Sequence, residues 1–129
     1  MSATKLQTEL FHIVRTHLLT QNKKSVSSIG DVEDELCMYH GPDGLKCAIG
    51  CLITDENYSP NLEGTGIYDS TVSKAVTKSL LARGIIKRAY LGVKTIEFLR
   101  SLQTIHDAMV PNRWREDLNL FAKTRGIAL

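Results

Sequence analysis

Three cysteines and a histidine fall within fifteen positions, as Cys37-x2-His40-x6-Cys47-x3-Cys51, and an adjacent pair, His106-Asp107, follows much later. Thiolates and imidazole are the ligand set of structural zinc, so Cys37, His40, Cys47 and Cys51 form a candidate metal cluster. The spacing argues against it. Zinc sites usually set two ligand pairs far apart, whereas here a tight turn joins them among apolar neighbours that suit plain buried thiols, and no metal or other cofactor is expected. The same residues can be read as nucleophile chemistry. Cys47 opens a short apolar segment, where unpaired backbone N–H groups would favour the thiolate, and His106 is the candidate general base. Adjacent side chains on a helix diverge by about 100°, so Asp107 is expected not to bond His106 and to be a poor orienter of it.

A third chemistry is recognition. Polar residues gather at His40, Asp43 and Lys46, at Asp55, Glu56 and Glu63, and at His106 and Asp107. They predict a surface joining the His40 to Lys46 turn, the Tyr58 to Gly66 loop and a helix end, where a host protein or a small anionic ligand binds. Lys46, Lys74, Lys78, Arg83, Lys87 and Arg88 could line an anion pocket, against the plainer reading of a solvated basic face. With no phosphate loop, no metalloprotease signature and no convincing acid/base pair, binding is favoured over catalysis. A cysteine-dependent enzyme using Cys47 with a histidine base is the alternative.

The elements that must position these groups are mostly helical. Leu6, Leu10, Ile13, Val14, His17 and Leu18 recur at helical spacing over 4–20, with Thr4 or Ser2 as cap. Residues 21–35 read as a mobile connection, rich in serine and then in acids. Leu36 to Lys46, around His40-Gly41-Pro42-Asp43-Gly44, reads as a small β-hairpin. Cys47 to Ile53 reads as a short buried helix whose Ala48 and Gly50 admit a neighbouring backbone. Helices are further expected after a cap at Ser70 or Asp69 to about Arg83, with Gly84 as stop, from Thr95 to Met109, and from Pro111 or Asn112 to Arg125. The fold class is thus mainly α: one compact domain over 1–129, of about five helices and one β-hairpin at 36–46.

The string Pro42-Asp43-Gly44-Leu45-Lys46-Cys47-Ala48-Ile49-Gly50-Cys51-Leu52-Ile53-x-Asp55-Glu56-x-Tyr58 is followed by Glu63-Gly64, then Leu102-Gln103-x-Ile105-His106-Asp107 and Trp114. It resembles a group of small proteins from bacteriophages and bacterial genomes, over roughly residues 37–125. An arginine is common in that group where this chain has His40, so the resemblance implies no need for imidazole there. It carries no activity with it. What it implies is an accessory protein of host takeover or defence evasion, an inhibitor or a ligand-sequestering protein.

Composition sets the frame for these readings. At 129 residues, 43% hydrophobic and 23% charged, the chain can bury a core without staples. Lys5, Glu9, Arg15 and two histidines interrupt the first twenty residues where a leader would be apolar, and three cysteines make an odd number. Both point to thiols in a reducing compartment, the cytoplasm, and to no membrane span. The net charge of +2 conceals five bases against nine acids in residues 1–65 and eleven against five in 66–129. Nucleic-acid binding is not favoured, because the aromatics are not interleaved with basic runs. Oligomeric state is left open by the sequence.

Overall fold

The computed structural model describes residues 2–26 and 37–129. Most of the predicted connection over 21–35, and Leu36 at the start of the predicted hairpin, lie outside the described residues. Among those described, four α-helices carry the fold: α1 Lys5–Gln21, α2 Ser70–Ala82, α3 Val93–Ala108 and α4 Trp114–Thr124. No described helix is long and apolar enough to cross a membrane.

The helix ends follow local chemistry. Thr4 caps α1, its hydroxyl accepting from the Gln7 N–H while the Gln7 side chain takes the Thr4 N–H, both at 3.1 Å. Asp69 caps α2 through the Thr71 N–H. After α2 the chain turns at Gly84, whose φ of +72° is the left-handed conformation that glycine adopts without penalty.

α1, α3 and α4 pack against one another. Phe121 is the pivot of that layer, stacked on Phe11 at 5.8 Å between centroids and meeting Phe98 edge-on at 5.2 Å. Leu10, Val14 and Leu18 of α1, Leu99 and Leu102 of α3, and Trp114 and Leu118 of α4 are fully buried there.

The cysteine-bearing segment lies between this layer and α2, and its interior is as dry as any helix: Cys47, Ala48, Ile49, Leu52 and Ile53 are all buried. It is not the predicted fifth helix. Cys47 to Ile53 forms one tight turn, a 3-10 helix over Gly50–Leu52, and Ile53 is already extended. The next N–H that a longer helix would use, that of Thr54, is taken by the Ser79 hydroxyl at 2.9 Å, and His40 Nε2 lies 3.1 Å from Gly50 O and 2.9 Å from Ile53 O. Gly50 has a further constraint. A Cβ built there would stand 2.6 Å from the Tyr39 carbonyl carbon and 2.7 Å from Tyr39 Cα, and nearer still to the carbonyl oxygen.

The predicted hairpin is likewise reduced. Pro42–Gly44 is a 3-10 turn with Asp43 at φ +59°, and it closes a single bridge between His40 and Lys46. The strand side is diverted: the Met38 N–H goes to Ser25 O, and those of Tyr39 and His40 go to the Glu63 carboxylate. With these donors spent elsewhere, no ladder propagates.

Candidate functional site

Three helices hold the cysteine segment by polar side chains. From α1, Gln21 takes the Lys46 N–H at 2.9 Å and donates to Lys46 O at 2.9 Å, a carbonyl that His17 Nε2 also meets at 2.8 Å. From α3, Gln103 Oε1 accepts the Ile49 N–H at 2.9 Å. From α2, the buried Ser79 hydroxyl accepts the Thr54 N–H at 2.9 Å and donates to Ala75 O. The candidate side chains are positioned against this anchored segment in two separate groups.

The first group surrounds His40. Its ring stacks on Tyr58 at 4.2 Å, and its Nδ1 lies 3.7 Å from Asp55 Oδ1, which is also 3.8 Å from Lys46 Nζ. Glu63 accepts from the Tyr39 N–H at 2.8 Å, the His40 N–H at 3.2 Å and the Tyr58 hydroxyl at 2.7 Å. Burial, with the Glu63 carboxylate beside it, pushes the Tyr58 phenol up to about 12, so it stays a donor. His40, Tyr58 and Glu63 therefore tie the turn to the loop. Asp55 is exposed, and so are Asp43 and Glu56, which do not join either group.

The second group is built on the last turns of α3. His106 is fully buried, packed on Trp114 at 5.4 Å, and its Nε2 accepts the Ser25 N–H at 3.0 Å. Its Nδ1 meets Asp107 Oδ1 at 2.8 Å. This corrects the expectation that the neighbours cannot bond. The ring is turned by the Ser25 contact and the Trp114 face, and that rotation overcomes the divergence at Cβ. Because Nε2 accepts, the ring proton sits on Nδ1 and is donated to Asp107. Gln103 Nε2 also donates to Asp107 Oδ1, at 2.7 Å, and Cys37 hydrogen-bonds the same carboxylate. Burial alone would raise the Asp107 pKa, but the bonds from His106, Cys37 and Gln103 outweigh it and hold the carboxyl below its usual range.

The donor atoms of Cys37, His106 and Asp107 lie within 4.8 Å of one another, the one such set among the described residues. The sequence-based cluster of Cys37, His40, Cys47 and Cys51 is not brought together. Cys47 Sγ accepts from the Gly50 N–H, Cys51 Sγ donates to Ala48 O, and His40 faces carbonyls. The observed trio fits a metal poorly as well. A ligating imidazole donates its second nitrogen's N–H to an acceptor, but the second nitrogen of His106 faces a donor, the Ser25 N–H.

Thiol catalysis at Cys47 meets an obstacle of the same kind. Burial drives its pKa far up, more than the Gly50 N–H bond lowers it, and pushes Cys51 up to about 12. None of the three cysteines is in a disulfide.

Beside the second group opens a cleft of about 390 Å³. Cys37, Tyr39, Cys47 and Ile49 form one side, the loop from Gly64 to Tyr68 another, and Arg100, Gln103 and Asp107 of α3 the third. Of the eight residues singled out from the sequence for binding, Asp107 lines it; His106 supports it from behind. A larger hollow, about 760 Å³, is a shallow trough along α1 whose lining comes from that helix alone, so no groups converge on it. Lys74, Lys78, Arg83, Lys87 and Arg88 are exposed and do not line the cleft. Sequence reasoning missed Arg100, Gln103 and Tyr68. The spacing of 100, 103 and 107 places the first two on the face of Asp107 and could have found them.

No protein family, curated protein or solved structure compared with this chain matches it.

Proposed function

We propose that this protein acts by binding a small ligand in the cleft between α3 and the Gly64 to Tyr68 loop. The supporting observation is Asp107: a carboxylate favoured in its ionised form, facing a cleft and fixed by three donors, one of them a buried histidine held by Ser25. Such pre-organisation suits recognition, because a rigid acceptor loses little freedom when a ligand arrives. Arg100, two turns away from Asp107 on the same α3 wall, gives the cleft a cation, which suits a ligand with an anionic group. The protonated, buried Cys47 weighs against the cysteine-enzyme reading. The resemblance to small phage and bacterial proteins agrees with a ligand-sequestering role in the host cytoplasm.

Gly66 offers the test. It lines the cleft, its backbone is outside the left-handed region, and a Cβ there meets nothing within 4 Å. Gly66→Phe should therefore narrow the cleft and leave folding intact. Native mass spectrometry of protein isolated gently from expressing cells should find a retained small molecule on the wild type, and less or none on Gly66→Phe at an unchanged melting temperature. Equal retention by both would refute the cleft as the site.

A further inference from the structure

The cleft carries two charges whose separation is set by a helix. Arg100 and Asp107 both line it and are seven residues apart on α3. Seven residues span about 10 Å of helix axis, roughly the reach from an exocyclic amine to the phosphate of an extended mononucleotide. Gln103 lies between them, but its amide is spent on Ile49 and Asp107. The poles left for a ligand are therefore at the two ends.

At one end, Asp107 Oδ1 already takes His106 Nδ1 and Gln103 Nε2, and Cys37 bonds the same carboxylate, whose two oxygens offer about four lone pairs and so keep room for one more donor. That suits a single N–H donor better than a fork of two. At the other end, the Arg100 guanidinium lies over the Tyr68 ring at 5.7 Å, and among the described residues it makes no ion pair. Ile49, Tyr39 and Ile67 lie among the lining residues, and Tyr68 is largely exposed, its ring open to stacking.

We infer that the ligand of this cleft is an amino-bearing anion the size of a nucleoside monophosphate, with its amine on Asp107 and its phosphate on Arg100. The inference rests on the cleft reading above and names the ligand class. An α-amino acid carries its charges only a few bonds apart and cannot reach both poles. Inorganic phosphate fills one pole and leaves the apolar surface wet. A cleft of about 390 Å³ lies at the small end of ligand sites, where a mononucleotide fits and a dinucleotide does not.

The test titrates the full chain with adenosine and cytidine 5′-monophosphates, inosine 5′-monophosphate and adenosine, following backbone amide resonances. The amino-bearing monophosphates should move residues 64–68 and 100–107. Adenosine, lacking the anion, and inosine monophosphate, with a carbonyl in place of the amine, should bind about tenfold or more weakly. Arg100→Ala, at an exposed position, should bind adenosine and its monophosphate equally. Asp107→Asn should lose the preference over inosine monophosphate, with its melting curve recorded alongside. If neither amino-bearing monophosphate moves those resonances, or if Arg100→Ala leaves the phosphate preference intact, the ligand class is overturned. In that event, a molecule retained on the wild type but not on Gly66→Phe keeps the cleft reading alive. Failure of both tests overturns both.

Discussion

Gly50→Ala adds one methyl group where the chain passes against itself. The new Cβ would sit 2.6 Å from the Tyr39 carbonyl carbon and 2.7 Å from its Cα, both backbone atoms, so no rotamer change relieves the clash. Overpacking of this kind costs about 1–3 kcal/mol. The strand around Tyr39 must then move, and it is not free to: its N–H is bonded to Glu63 at 2.8 Å, and the next residue's N–H is on the same carboxylate. A hydrogen bond to a charged acceptor is worth about 1.5–3 kcal/mol, so losing one brings the expected total to about 3–5 kcal/mol. For a chain of this length that lowers the melting temperature by roughly 10–20 °C. Thermal unfolding followed by circular dichroism reads the change directly, and urea titration should place it in the midpoint with an unaltered slope. Gly66→Ala is the control, because a Cβ there meets nothing within 4 Å, and it should melt with the wild type. If Gly50→Ala also melts within about 2 °C of the wild type, where ~3 kcal/mol was expected, the close approach to Tyr39 does not exist and the argument fails.

Thr4→Ala removes the hydroxyl half of the α1 capping box, leaving the Gln7 side chain on the backbone N–H of residue 4, and should cost about 1 kcal/mol, read as a lower urea midpoint. His17 has its pKa lowered from 6.5, burial outweighing the bond to the Lys46 carbonyl, so the unfolded chain takes up this proton first. Its contribution is complete above pH 6.5 and is lost as pH falls toward the folded value; His17→Gln should show a flatter dependence of melting temperature on pH in that window. Iodoacetamide at neutral pH should leave Cys47 unmodified in the native state, because the buried thiol stays protonated; rapid labelling there, located by peptide mapping, would contradict its burial.

What was legible in the sequence is what neighbours in the chain decide. The Thr4 and Asp69 caps, the Gly84 stop and the apolar stripes of α1 to α4 depend on residues a few positions away, and they stand within a residue or two of their expected places. The errors arise where a distant group takes a hydrogen bond that local pattern had assigned. The hairpin lost its ladder because Glu63, more than twenty residues on, accepts from Tyr39 and His40. The Cys47 to Ile53 helix stops after one turn where the Ser79 hydroxyl, 25 residues on, takes the Thr54 N–H. The His106–Asp107 bond depends on Ser25, which is 81 residues away in sequence. Of the polar residues expected to form one binding surface, His40 and Glu63 turned out to be ties within the scaffold. Residue type alone cannot separate such a tie from a ligand contact.

The direction of the histidine–carboxylate pair bears on what this site can do. In a catalytic pair the acid steadies the imidazole, and the far nitrogen of the ring is left to take a proton from a nucleophile. Here the far nitrogen, Nε2, is closed by the Ser25 N–H, and the ring is sealed from solvent beneath Trp114. It is the carboxylate that reaches the cleft. The relation is inverted: a backbone amide orients the histidine, and the histidine, with Gln103, orients the acid. Gln103 links the same carboxylate to the Ile49 amide in the core segment, so Asp107 is referenced to two separate parts of the backbone. An acid fixed in this way is held in one orientation by His106, Gln103 and Cys37. What it offers is a negative acceptor at a constant position, which is a requirement of recognition.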